Sequence, residues 1–95
     1  MRLRWSRLAR RDLADIKRFI EDDNPQAASA QVARIRRSAA RFEEFPESGP
    51  LITTSGLRAT GVPGTAYRIV YRIEADLILI VAVWHGARAW PFDPR

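Results

Sequence analysis

The fold is decided by the stretch Ala66-Tyr67-Arg68-Ile69-Val70-Tyr71-Arg72-Ile73-Glu74-Ala75-Asp76-Leu77-Ile78-Leu79-Ile80-Val81-Ala82-Val83-Trp84. Two runs rich in β-branched and aromatic residues flank Glu74-Ala75-Asp76, which predicts a β-hairpin with strands over 66–73 and 77–84. Side chains alternate between the two faces of a strand. Tyr67, Ile69, Tyr71 and Ile73 therefore share one side, and a three-residue connection pairing Ile73 with Leu77 sets them opposite Leu77, Leu79, Val81 and Val83. That face is wholly apolar and is expected to lie against the core. The other face carries Arg68, Val70 and Arg72 beside Ile78, Ile80, Ala82 and Trp84, a mixture of basic and apolar groups that suits a working surface better than plain solvent exposure.

Upstream of the hairpin, Pro63-Gly64 is a turn, Gly56 to Val62 is a further strand carrying Arg58, and Pro46-Glu47-Ser48-Gly49-Pro50 is a loop. The residues before that loop are periodic in the helical sense. Ala28, Val32, Ile35, Ala39 and Phe42 recur at intervals of three and four, which predicts a helix opened by Asn24 as N-cap with Pro25 at the first helical position and running to about Phe45. Ala9, Leu13, Ile16 and Ile20 mark one buried stripe of an earlier helix that Ser6 caps from about Arg7. Two helices joined by so short a turn pack antiparallel. Arg2-Leu3-Arg4-Trp5 alternates polar and apolar residues as a short strand does. The fold class is thus α+β: an N-terminal strand and a helical hairpin packed on a curved antiparallel sheet, in one domain over residues 1–95.

Composition bounds the function. The chain has 95 residues, 46% of them hydrophobic, no cysteine and one histidine, so neither a disulfide framework nor a thiolate metal site is available, and no metal or cofactor is expected. The apolar run from Leu77 to Trp84 falls far short of the roughly 20 residues that span a bilayer, and residues 1–20 lack a signal-peptide core, so a cytoplasmic protein is expected. The net charge is +5, and Lys17 is the only lysine. Residues 1–20 hold seven basic and two acidic side chains, which concentrates the charge at the front. Arginine's planar fork suits phosphates and carboxylates alike, so the partner is nucleic acid or an acidic protein. The basic residues Arg7, Arg10, Arg11, Lys17 and Arg18, interrupted by Asp12 and Asp15, read as a solvated helix face.

The chain resembles RelE/ParE toxins along nearly its whole length. The matching pieces are Asp12-Leu13 with Ile16, Asn24-Pro25 with Ala27-Ala28, Phe45-Pro46, Gly56-Leu57-Arg58, Pro63-Gly64-Thr65-Ala66-Tyr67-Arg68-Ile69-Val70-Tyr71-Arg72, and His85-Gly86-Ala87-Arg88-Ala89-Trp90-Pro91. The ParE-like branch is the nearer one. The resemblance implies a toxin of a type II toxin-antitoxin pair, of the kind linked to plasmid stabilization and growth inhibition, held in a hetero-oligomer by a cognate antitoxin that wraps it with an acidic, amphipathic segment. It also implies a target: DNA gyrase for the ParE-like branch, ribosome-bound mRNA for RelE-like members, which cut it in the A site. The arginine of the Gly-x-Arg piece is commonly followed by glutamate in this branch, and here Ala59 follows Arg58, which keeps open a degenerate toxin that retains antitoxin binding alone.

Metal-independent RNA cleavage needs a base for the 2′-hydroxyl, an acid for the leaving oxygen and cations around the phosphorane. Arg58, Arg68, Arg72 and Arg88 could supply the cations, with Arg58 and Arg88 the candidates for an RNase site, and His85 is the one side chain whose ordinary pKa suits proton transfer. A regular strand gives His85 the parity of Val81 and Val83 and turns its ring toward the helices, away from Arg68 and Arg72; a β-bulge would reverse that. With no lysine in the C-terminal half and no tyrosine after Tyr71, the acid-base set of an RNase is incomplete. Occupancy of a target surface is the expected mode of action, with Arg58, Arg68, Arg72, Trp84, Arg88 and Trp90 as the binding candidates for target or antitoxin. For Trp84 and Trp90, core packing and interface contact both remain open.

Overall fold

The computed structural model describes residues 1–88, so Trp90 and the rest of the 89–95 tail lie outside the described residues. Elements follow in the order β1 (Arg2–Trp5), α1 (Arg7–Glu21), α2 (Pro25–Ala40), a 3₁₀ turn (Arg41–Glu43), β2 (Leu57–Gly61), β3 (Tyr67–Glu74) and β4 (Leu77–His85). The strands form one four-stranded sheet in the order β1-β4-β3-β2, with the helical hairpin on one face. β2, β3 and β4 are antiparallel neighbours, while β1 runs parallel to β4, which makes the sheet mixed.

The helix starts are set by side-chain caps. The Ser6 hydroxyl accepts from the Ala9 N–H (3.0 Å) and donates to the Val81 carbonyl (2.9 Å), so one residue caps α1 and ties its start to β4. Asn24 Oδ1 accepts from the Ala27 N–H (3.1 Å), and Pro25 occupies the first turn of α2, where it removes no hydrogen bond. α2 stops at Ala40, short of the expected Phe45, because the chain tightens into the 3₁₀ turn that swings Phe42 into the core. There Phe42 stacks on Tyr71 with ring centroids 3.9 Å apart. Ala9, Ala28 and Ala39 are fully buried, and small side chains at these places let the elements approach closely.

The hairpin departs from its expected register. Its connection is two residues, Ala75 and Asp76, with Glu74 opposite Leu77, Ile73 opposite Ile78 and Tyr71 opposite Ile80. A two-residue loop matches the strand twist best and demands a positive φ, which Ala75 supplies at 50°. Hence Ile78 and Ile80 face the helices with Ile69 and Tyr71, while Leu77 and Leu79 take the other face, the reverse of the sequence expectation. A β-bulge at Val81 then shifts the register, so that Val70 opposes Ala82 and Ile69 opposes Val83. Val83 therefore joins the helix-side core as expected, and Val81 packs with Ala82 on the opposite side.

Candidate functional site

The face of the sheet away from the helices has a small apolar centre, Leu57, Ala59, Val70 and Ala82, with Ile52 and Val81 packed against it. Around that centre stand the arginines. Arg68 pairs across the ladder with Trp84, and Arg72 lies between Leu57 and Leu79. The Arg88 guanidinium sits 4.7 Å from the centre of the Trp84 ring, a cation-π contact, and the Trp84 indole N–H points to the Arg88 carbonyl at 3.4 Å. Four sequence candidates, Arg68, Arg72, Trp84 and Arg88, are thus brought to one face. Arg72 Nη1 reaches Glu74 at 3.5 Å, while its Nε is buried with no hydrogen-bond partner.

Arg58 does not belong to that group. Its ladder partner is Tyr71, which puts it on the helix side, and its guanidinium donates to the Gly49 carbonyl (2.8 Å) and, at 3.5 Å, to that of Glu47. The Tyr71 hydroxyl grips the same loop, donating to the Pro46 carbonyl (2.7 Å) and accepting from the Gly49 N–H (2.8 Å). Arg58 is therefore a loop anchor. Sequence alternation could not reveal this, because the register of β2 on β3 is not written in β2 itself.

His85 also faces the helix side. Its ring meets Tyr67 edge-on at 5.2 Å, and its Nδ1 accepts from the Ala87 N–H at 3.0 Å, so the ring braces the turn that follows β4. It borders a cleft of about 570 Å³ lined by Asp12, Asp15, Ile16, Phe19, Tyr67, Val83, Ala87 and Arg88. Asp12 Oδ2 accepts from the Val83 N–H at 2.9 Å, filling the edge of β4 where β1 has already ended. Burial raises the Asp12 pKa above its ordinary 3.8, outweighing the opposing pull of that hydrogen bond. Burial likewise raises the Tyr67 hydroxyl. No group of three metal-ligating side chains occurs among the described residues.

Two arginines were missed by sequence reasoning. The parallel register sets Arg2 beside Leu77 and Arg4 beside Leu79, on the face that bears Arg72. The available signal was the alternation of β1 itself: Leu3 and Trp5 pack on the helix-side core, so Arg2 and Arg4 must point the other way.

The fold is a helical hairpin over one face of a small mixed sheet whose other face carries arginines, and comparison with known proteins says which family it belongs to. In overall shape the chain is similar to a chain of the chromosomal ParDE TA system from P. aeruginosa, with a TM-score of 0.79 at 20% identity, covering 87% of this chain and 92% of that one. In sequence it is similar to the putative toxin Y4kP of Sinorhizobium fredii, 37% identical over 90 residues (95% of this chain, 93% of the relative), and to toxin RelE2 of Caulobacter vibrioides, 33% identical over 84 residues (88% and 93%). The chain belongs to the family described as ParE toxin of type II toxin-antitoxin system, parDE, whose model matches residues 3–90. It is thus a toxin component, and its family implies an antitoxin partner. No helix among the described residues is long and apolar enough to cross a membrane.

Proposed function

We propose that this toxin arrests growth by occupying a protein target, DNA gyrase, through the arginine-bearing face of its sheet, and that a cognate antitoxin silences it. The observation that supports this reading is that Arg58, opposite Tyr71, stands four residues along β3 from Tyr67, the partner of His85, and so apart from the cleft that His85 and Arg88 border. Arg58 is engaged with loop carbonyls on the helix side. His85 uses Nδ1 to hold the Ala87 N–H, and Arg88, which borders the same cleft, rests over Trp84. General acid-base cleavage requires its groups within hydrogen-bond reach of one phosphate. By contrast, Arg68, Arg72 and Arg88 stand around apolar side chains on one surface, the mix of anchors and charge that protein recognition uses. The gyrase assignment rests on resemblance to the ParE-like branch.

The test is induced expression followed by a supercoiling assay on gyrase from the arrested cells and mapping of mRNA ends in the same cells. Lost supercoiling with intact messages is expected. Normal supercoiling with new cuts inside codons would replace this reading with mRNA cleavage, and unaffected growth would replace it with antitoxin binding alone.

A further inference from the structure

We infer that the helix-side cleft beside α1 is a binding site for a free α-amino acid with an apolar side chain. The inference goes beyond the target-binding role proposed above and does not rest on it, because the walls of this cleft are α1 and the helix-side ends of β3 and β4. Opposite charges face the cleft without meeting. Asp12 and Arg88 both line it and the guanidinium's field reaches the carboxylate, yet the two form no ion pair, and Arg88 rests over the Trp84 ring instead. Asp12 spends Oδ2 on the Val83 N–H, and among the described residues Oδ1 has no partner. Tyr67 is only 9% exposed and lines the same cleft, and its hydroxyl has no hydrogen-bond partner among the described residues. An acceptor oxygen, a hydroxyl and a guanidinium thus converge on one space of about 570 Å³.

These groups select the ligand by charge. A carboxylate drawn out of water with a single hydrogen bond is costly, and a cation beside Oδ1 would offset that cost. A ligand that is only cationic is opposed by Arg88 and Arg11, whose charges both act on Asp12, and by the net charge of +5. One that is only anionic meets Asp12, with Asp15 at the rim. A ligand carrying both signs a few bonds apart satisfies both ends. Its ammonium donates to Asp12 Oδ1 and the Tyr67 hydroxyl, and its carboxylate accepts from the Arg88 guanidinium. The remaining wall is apolar: Ile16 and Val83 are buried, and the Phe19 ring, 76% exposed, is free to cover an occupant's side chain. The volume lies within the roughly 300 to 1,000 Å³ of small-molecule sites.

The test is calorimetric titration of L-phenylalanine into the full chain at neutral pH. Comparators are phenethylamine, which lacks the carboxylate, hydrocinnamate, which lacks the ammonium, glycine, which lacks the side chain, and adenosine monophosphate. Saturable binding of L-phenylalanine at about 1 mM or tighter is expected for a ligand of this size, with every comparator weaker by roughly tenfold or more. Asp12→Asn, which keeps an acceptor for the Val83 N–H, and Arg88→Gln, at an exposed position, should each weaken binding by roughly tenfold or more while circular dichroism shows both folded. Asp23→Asn and Arg37→Gln, exposed and outside the cleft, should bind as the parent does. In amide NMR spectra the ligand should shift the Val83 N–H and the Trp84 indole N–H, which adjoin Asp12 and Arg88. The inference is overturned if L-phenylalanine does not bind, if any comparator matches it, or if Asp12→Asn or Arg88→Gln binds as tightly as the parent. Supercoiling and growth arrest are scored apart, so that failure here leaves the toxin's proposed action standing and failure there leaves this site standing.

Discussion

Replacing Tyr71 with phenylalanine removes one oxygen atom and leaves the ring, its stacking on Phe42 and the packing of β3 in place. That oxygen makes two hydrogen bonds to one loop, donating to Pro46 and accepting from Gly49, at a side chain with no exposed surface. The Gly49 N–H becomes a buried donor with no acceptor, a loss of about 1 to 3 kcal/mol, and the half-buried Pro46 carbonyl forfeits a bond with a net value of about 1 kcal/mol. Water cannot readily replace the hydroxyl, because the Gly49 backbone lies so close that a Cβ built there would stand 2.9 Å from the Tyr71 ring. The expected loss is about 2 to 4 kcal/mol, a large part of the roughly 5 to 15 kcal/mol that holds a domain folded. At about 4 to 8 °C per kcal/mol for a chain of this length, the melting temperature should fall by something on the order of 10 to 30 °C. Circular dichroism melts and urea titrations read this directly. A fall of less than about 3 °C with an unchanged m-value would mean that the loop finds other partners and that the hydroxyl does not secure it.

The other expectations concern the site. Arg58→Ala should cost about 1 kcal/mol of stability, since it loses charge-assisted but partly exposed bonds to Gly49 and Glu47, yet leave antitoxin affinity within about threefold; a large affinity loss by calorimetry at unchanged stability would return Arg58 to the interface. Arg68→Glu combined with Arg72→Glu should weaken antitoxin binding by at least about tenfold, because each reversal opposes like charges, and unchanged affinity would remove that face from the contact. Because the folded Asp12 pKa lies above its unfolded value near 3.8, the native state holds more protons between those two values, and the group's contribution to stability declines as pH rises through that window. Asp12→Asn, which keeps an acceptor for the Val83 N–H, should abolish that decline, whereas Asp12→Ala should lose about 1 to 3 kcal/mol at every pH by orphaning that N–H. Urea titrations across pH check both, and parallel pH profiles for parent and Asp12→Asn would refute the linkage.

The elements were legible where local chemistry decides them. Ser6 and Asn24 declare their helices because a cap bonds three residues ahead, and the β3 residues Tyr67, Ile69 and Tyr71 face the core as their alternation requires. β4 was misread over Leu77–Ile80 because its parity depends on two things that its composition does not encode. One is the length of the turn at Ala75-Asp76. The other is a bulge at Val81, next to where Ser6 and Asp12, each more than 70 residues away in sequence, take over the strand edge from β1. In the site, Arg68, Arg72, Trp84 and Arg88 were found together because the first three alternate within one hairpin and Arg88 follows it closely. Arg58 stands on the helix side, apart from them, because the register of β2 is set by β3, whereas the face of Arg2 and Arg4 could have been taken from the alternation of β1 with Leu3 and Trp5.

The pairing of Arg2 with Leu77 and Trp5 with Ile80 bears on how the toxin is made. During synthesis α1 and α2 emerge and pair early, but Leu3 and Trp5 have no strand to join until Leu77 to His85 have been translated, and long-range pairings of this kind form late. Until β4 is available the chain therefore holds a helical hairpin with its apolar side uncovered and has no assembled arginine face. The arginine-bearing face is thus a late product of folding, whereas the helical hairpin is complete within the first 40 residues and is the earlier surface for a partner to meet.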